Sequence, residues 1–421
     1  MTDKITDGRS DKAEIADEPT RRTILKATGL TALGAYVGMN IPFEGNLMAL
    51  AQGMSEEDIM SGKNGLVLLN DRPLNAETPA HLLDDDVTPY KHFFIRNNGF
   101  VPDSALDMDA EGWTLTIDGE VDTALELSIG ELKSRFEEVT LRLVLECGGN
   151  GRAFFNPGAS GNQWTTGAVG CADWTGVRLS DVLNAAGIKS SAVYTAHHSD
   201  DPHLSGDPDK EVISRGVPIE KALAEGGIIA WAMNGEPIPA VHGFPLRLVI
   251  PGYPGSASQK YVNRIQIRDQ EHDGAKMTGY SYRVPAYPVA PGTEVPEEDM
   301  VVLTDMPVKS LITFPQSGAQ AAAGEAMEVR GHAWSGSGDV ASVDISIDFG
   351  ATWTPAALEA PVNKFAWQRF RADVTLPQAG YYEVWARATD LNGVSQPPVV
   401  PGWNPRGYGN NMQHRIAMIA T

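Results

Sequence analysis

The sequence predicts a two-part chain, an α+β region followed by an all-β sandwich. Three observations carry that expectation. Up to about residue 300, alternating apolar segments and short helical segments mix without a regular βαβ rhythm. From Tyr280 to Glu298 the chain is rich in Pro, Gly and acidic residues and has no period, which predicts an extended crossing segment. Beyond it, periodic segments alternate in twos, and no helical pattern appears.

In the first part, Trp113–Gly119 alternates like a half-buried strand. Ser128 and Glu131 have capping-box spacing and open a short helix running to Phe136. Val139–Glu146 alternates again and delivers Cys147 at a strand end. Ser180–Ala186, stopped by Gly187, predicts a second short helix. Ile228–Met233 reads as a strand entering an Asn234-Gly235 turn, and Leu246–Ile250 as another strand. In the second part, Ala326–Trp334, Val340–Asp348, Ala366–Leu376 and Tyr381–Thr389 alternate between Gly, Pro and Asn punctuation, the spacing of a sandwich.

Composition bounds the function. Of 421 residues, 33 are Lys or Arg and 54 are Asp or Glu, a formal net charge of −21. Such a field repels nucleic acid and anionic membrane surfaces and favours a basic protein partner. Two cysteines, Cys147 and Cys171, exclude a disulfide framework and leave room for one bridge. The N-terminus carries an export pattern: Arg21-Arg22, an uncharged run from Ala27 to Phe43, and Ala49-Leu50-Ala51 as a small-x-small cleavage site. The run is too short and too broken by glycine to span a membrane. The expected division is therefore 1–51 twin-arginine signal peptide, 52–300 catalytic region and 301–421 sandwich, with the mature chain in the periplasm and lacking a membrane span.

The candidate chemistry gathers at Cys147. Gly148, Gly149 and Gly151 follow it, so backbone amides there are free to approach something large and anionic. The thiol is readable as a soft metal ligand, as a nucleophile, or as a small buried apolar group. Signatures for nicotinamide, flavin, haem and nucleoside triphosphates are missing from the sequence. Basic residues, scarce in this chain, recur in short motifs: Arg96 after Phe93-Phe94, His242 with Arg247, Lys260 at the end of a Pro251–Gln259 loop, and Arg406 near the C-terminus. Together they form a plausible anion-binding set.

On these residues the chain resembles the sulfite oxidase family of molybdenum enzymes. The resemblance runs through Asn75-Ala76-Glu77-Thr78-Pro79, Phe93–Asn97, the Cys147 loop, Trp164–Ala168, Trp174–Leu179, His242-Gly243-Phe244-Pro245, Lys260 and Trp403–Gly407. It implies a mixed α/β molybdopterin-binding catalytic domain and an immunoglobulin-like domain that makes a homodimer. It implies that Cys147 ligates molybdenum. It further implies that Phe94, Arg96, Asn97, Asn98, His242, Arg247, Ser258, Gln259 and Lys260 hold the pterin and its phosphate. Arg96, Arg152, Tyr282 and Arg406 would surround a sulfite oxyanion, with Tyr280 close enough in sequence to compete with Tyr282. Asn98 stands where the family usually has His, which removes a cation from the pocket. A carboxylate near Asp200-Asp201 has no secure counterpart, and Cys171 matches no family ligand and reads as buried structure.

The activity so implied is oxidation of sulfite to sulfate, with electrons passed singly to an external c-type cytochrome. A molybdenum-dependent dehydrogenase of another sulfur compound or a methionine sulfoxide reductase on the same fold, and last a non-enzymatic exported binding protein, are the alternatives.

Overall fold

The computed structural model describes residues 60, 62–110 and 112–421. The twin-arginine stretch and its cleavage site lie outside the described residues. Among those described, no helix is long and apolar enough to cross a membrane.

The first part contains a three-stranded antiparallel sheet of Val67–Asp71, Leu74–Glu77 and Ile95–Arg96 and, after it in the chain, two larger sheets. In one, Glu138–Glu146 pairs antiparallel with Val169–Arg178, which pairs with Ile228–Met233; Glu236–Pro237 and Arg247–Val249 also pair with Ile228–Met233. In the other, the order is Leu125–Ser128, Thr114–Gly119, Val262–Arg268, Tyr194–Ser199, with a parallel pair between Thr114–Gly119 and Val262–Arg268. That parallel pair needs a long crossover, and the intervening chain supplies three α-helices and the Cys147 loop. The helices are Ile129–Arg135, opened by Ser128 in a complete capping box with Glu131, Leu179–Ala186, which buries Leu179, Val182, Leu183 and Ala186, and the short Ile219–Leu223. Their apolar faces join Leu115, Ile117, Ile265 and Ile267 in one core.

The sandwich comprises a four-stranded and a five-stranded sheet. Ala326–Trp334 lies between Lys309–Phe314 and Gln368–Thr375 in the first, and Gly380–Asp390 lies between His414–Ala420 and Val340–Ser346 in the second. Val329, Val343, Phe370, Val384 and Ile416 fill the space between the sheets.

The alternating segments correspond to observed strands. Val169–Arg178 and Val262–Arg268 were not apparent from periodicity. Val169–Arg178 has buried residues on both faces, so its sequence does not alternate. Tyr280–Glu298 is not wholly extended: Arg283–Pro285 turns back and pairs with Met300–Val302. Cys147 and Cys171 are both free thiols, so the bridge left open above is not formed. Cys171 is fully buried among Leu83, Val169, Leu311, Trp334 and Trp367, and burial pushes its thiol up to about 12.

The sandwich is anchored directly behind the Cys147 loop. Glu146, one residue before Cys147, is 3% exposed. Its carboxylate accepts from Trp334 Nε1 at 2.9 Å and from Asn150 Nδ2 at 2.9 Å, and it is paired with Lys309 Nζ. A second anchor is Asp84, paired with Arg330 at 2.7 Å and bonded by Thr313 Oγ1 at 2.6 Å.

Replacing Lys309 by Met leaves the Glu146 charge buried with only neutral donors. A buried pair broken on one side costs about 3–5 kcal/mol. K309M should therefore lower the urea midpoint by that equivalent, and K309M/E146Q should restore most of it. A loss under about 1 kcal/mol in K309M would show that the pair is effectively solvated.

Candidate active site

The Cys147 loop is set by the strand before it and by a turn after it. Cys147 N–H donates to Ala168 O at 2.9 Å, and Cys147 O accepts from Asn150 N–H at 2.9 Å. The glycines serve a different purpose from the one expected. A Cβ on Gly149 would stand 2.3 Å from the Arg152 guanidinium, and one on Gly407 would stand 2.8 Å from Arg152 Cγ. Gly151, at φ +91°, would meet Asn410 at 2.7 Å. Much of the glycine content thus clears space for a buried arginine and for the C-terminal loop, rather than presenting bare amides to a ligand.

A cavity opens on the Cys147 thiol. It gathers Phe94, Arg96 and Asn98 from the strand end at 94–98, and Arg247, Ser258, Gln259 and Lys260 from the far side. Tyr282 closes it, and Asp201 joins it. The tyrosine ambiguity is thereby decided, since Tyr280 instead donates its hydroxyl to Val295 O at 2.6 Å. Tyr282 holds φ +54°, costly for a side chain with a Cβ, and its ring stacks on Tyr408 at 5.4 Å.

Arg96 lines the cavity beside the Cys147 thiol and turns Nη2 to Asn98 Oδ1 at 2.8 Å. Lys276 Nζ donates to the same oxygen at 3.0 Å. The cation expected to be lost through Asn98 is therefore replaced from another segment. Lys276 also accepts at its carbonyl from Arg215 Nη1 at 2.8 Å, and the Arg215 guanidinium lies 4.9 Å from the Tyr282 ring centroid. Burial lowers both the Lys276 ammonium and the Arg215 guanidinium below their usual ranges. Lys276, Arg215 and Tyr408 were not found from sequence, whereas Asp201 was singled out only as one of two neighbouring carboxylates without a secure counterpart. Of the three, Tyr408 had a signal, standing one residue past the Trp403–Gly407 motif.

Arg152 and Arg406 are not among the residues lining the cavity at Cys147. Arg152 is buried, donates Nε to Arg406 O at 2.6 Å and Nη1 to Asn162 O at 2.8 Å, and lies 5.1 Å from the Tyr408 ring. Arg406 contributes that carbonyl, while its guanidinium donates Nη1 to Ser160 Oγ at 2.8 Å. The expectation that both guanidinium groups enclose the substrate oxyanion is corrected to this extent. Arg152 reaches the pocket through Tyr408, and Arg406 braces Arg152. The reason is backbone geometry: the tight turn at Gly407 brings the Arg406 carbonyl, not its side chain, to Arg152.

Deeper in, several buried polar atoms lack protein partners. Arg247 gives Nη1 to His242 O at 2.7 Å, but its Nε is buried with no partner, and Gln259 Oε1 and Ser256 Oγ are in the same state. Lys260 Nζ bonds Asn97 Oδ1 and Val241 O. His242 is buried beside Lys63, Arg247 and Lys260, and burial with their charges holds it well below the usual imidazole value. Burial alone brings Lys63 to about 6. So many buried cations, faced by the single carboxylate Asp201, fit a phosphate-bearing cofactor that would neutralise them.

The pH dependence has two opposite signs. A bound phosphate favours the charged forms of Lys63, His242 and Lys260, so binding takes up protons and affinity falls as pH rises above about 6. In the cofactor-free protein, Lys63 binds fewer protons folded than unfolded between about 6 and 10.5, so stability rises with pH across that window. Pterin fluorescence released from protein dialysed at pH 6 and at pH 8.5 checks the first sign. Urea midpoints of the cofactor-free protein at the same pH values check the second. Equal retention and equal midpoints would show these groups to be solvated.

Comparison with known proteins agrees with this construction. Residues 99–276 match the oxidoreductase molybdopterin binding domain, and residues 300–421 match the Mo-co oxidoreductase dimerisation domain. The chain is 32% identical to sulfite oxidase of Gallus gallus over 366 residues, covering 83% of this chain and 77% of that protein. It is 33% identical to mitochondrial sulfite oxidase of Macaca fascicularis over 363 residues, spanning 82% of this chain and only 64% of that relative's length. Among solved structures it resembles the sulfane dehydrogenase SoxCD of Paracoccus pantotrophus, with a TM-score of 0.68, 26% identity, and coverage of 89% of this chain and 92% of that one. With a thiol, a cation-lined cavity and both domain matches in the expected order, the chain belongs to the sulfite oxidase family of molybdopterin-binding oxidoreductases.

Proposed function

We propose that this protein is a sulfite dehydrogenase, oxidising sulfite to sulfate and passing electrons singly to a basic, exported c-type cytochrome. The observation that carries the reading is the convergence of Arg96 and Lys276 on Asn98 Oδ1 beside the Cys147 thiol and Tyr282. A small dianion needs fixed cations, and a pocket built from two charged donors clamped on one neutral acceptor supplies them.

When bound, the cofactor supplies a two-electron redox centre and oxygen-transfer chemistry, with Cys147 as its protein ligand. The rest falls to the chain. Arg96 and Lys276 bind and orient the oxyanion. Tyr282, stacked on Tyr408, offers a hydroxyl to it and narrows access for water. Arg215, behind the Tyr282 ring, adds positive potential without contacting the substrate. Overall, sulfite and one water yield sulfate, two protons and two electrons.

The dimerisation-domain match supports a homodimer. Net charge supports the acceptor: residues 1–51 carry six Lys or Arg and seven Asp or Glu, so removing them leaves −21 + 1 = −20. A surface that acidic steers a basic cytochrome, and transfer should slow as salt screens it. Export through the twin-arginine route places both proteins in the periplasm.

A second reading is oxidation of a sulfane sulfur, favoured by the likeness to the sulfane dehydrogenase over 92% of that chain. Steady-state reduction of cytochrome c with sulfite and with a persulfide decides between them. Sulfite is expected to give the higher kcat/KM; a persulfide preference of tenfold or more would transfer the assignment. K276M should raise KM for the preferred anion by about 10-fold or more with little change in kcat, the loss of one charge-assisted contact. An unchanged KM would remove Lys276 from the pocket.

A further inference from the structure

We propose that Lys63, on the segment before the first described strand, is a positioning residue for the cofactor phosphate, holding the His242 ring so that Nδ1 carries the donor proton. Lys63 lies outside the 99–276 domain match.

The geometry is fully specified on the lysine side. Lys63 Nζ stands 2.7 Å from Tyr90 O, 2.9 Å from Phe93 O and 2.7 Å from His242 Nε2. An ammonium has three donors and no acceptor. With Lys63 charged all three are engaged, and Nε2 then accepts. A neutral imidazole that accepts at Nε2 carries its hydrogen on Nδ1. The charges around the ring are Lys63, Arg247 and Lys260. An N–H at Nδ1 would thus be set among cations, where an anion is the fitting acceptor.

The ring is also fixed against reorientation. Tyr90 meets it edge-on at 5.6 Å and 85°, and Phe93 at 5.3 Å and 75°. Lys63 is seated over the Tyr90 ring at 3.9 Å from its centroid. The carbonyls that hold Lys63 belong to the turn leading into Arg96, which lines the cavity at Cys147.

An anion is needed to keep this arrangement charged. With the cavity empty, an amine at Lys63 could give two hydrogens to the carbonyls and accept from Nε2–H instead. Phosphate binding restores the ammonium and moves the ring proton to Nδ1. The inference rests on the family's cofactor and not on which sulfur compound is oxidised.

The test uses the cofactor-loaded full chain. Nitrogen-15 long-range spectra of the histidine rings should show His242 protonated at Nδ1 and bare at Nε2. K63M should lose the cofactor about 10- to 100-fold faster on dialysis, the equivalent of one charge-assisted contact, with the cofactor-free melting temperature little changed. K63R should recover part of that retention. If K63M does not fold, the wild-type tautomer and the K63R retention still decide. A loaded wild type protonated at Nε2, or a folded K63M with unchanged retention, overturns the proposal. Both readouts precede turnover, so they stand or fall separately from the sulfite assignment.

Discussion

The structure turns on one buried carboxylate. Glu146 ends the strand that carries Cys147, and its two oxygens are shared among Lys309, Trp334 and Asn150. Asn150 Oδ1 in turn accepts from Ala168 N–H at 3.1 Å, beside the bond that holds Cys147. A single group thus fixes the position of the thiol, the turn that follows it and the seat of the sandwich. Desolvating it is expensive, and the expense is offset only when all its partners are in place. That makes the thiol loop and the sandwich cooperative: neither finds its native geometry without the other.

The same logic governs charge. The chain is strongly acidic overall, yet Arg96, Arg247, Lys260, Lys276, Arg215 and Lys63 are withdrawn from that surface into one region. Buried cations without carboxylate partners destabilise a fold unless something neutralises them. A bound phosphate would offset the repulsion among these cations. Binding energy and folding energy are linked at this point.

The C-terminal loop completes the site through packing. Tyr408 stacks on Tyr282, carries Arg152 against its face, and passes over Gly148, whose carbonyl accepts from Gly409 N–H at 3.0 Å. Burial, with Tyr282 nearby, pushes the Tyr408 phenol up to about 12, so it stays neutral and apolar in character. The aromatic pair is a wall built from two distant segments, and the positive φ at Tyr282 is tolerated because both faces of its ring are held.

Much of this was legible from sequence. The capping box at Ser128, the alternating strands of the sandwich and the strand leading to Cys147 are local patterns, and local backbone preferences and one-sided burial wrote them. So were Cys147, Arg96, Asn98, Arg247, Ser258, Gln259, Lys260 and Tyr282 as residues of interest, because each sits in a short motif; the structure brings them to one cavity. What sequence could not decide is what depends on crossing the chain. Val169–Arg178 is invisible to periodicity because both its faces are covered. Lys276, Arg215 and Lys63 carry no motif, and each matters only through an oxygen, a ring or an imidazole far away in the chain. Arg406 was assigned by its side chain, whereas the turn at Gly407 delivers its carbonyl. Residue type sets what a group is able to donate or accept; only the tertiary structure sets which partner it meets and whether water is there to compete.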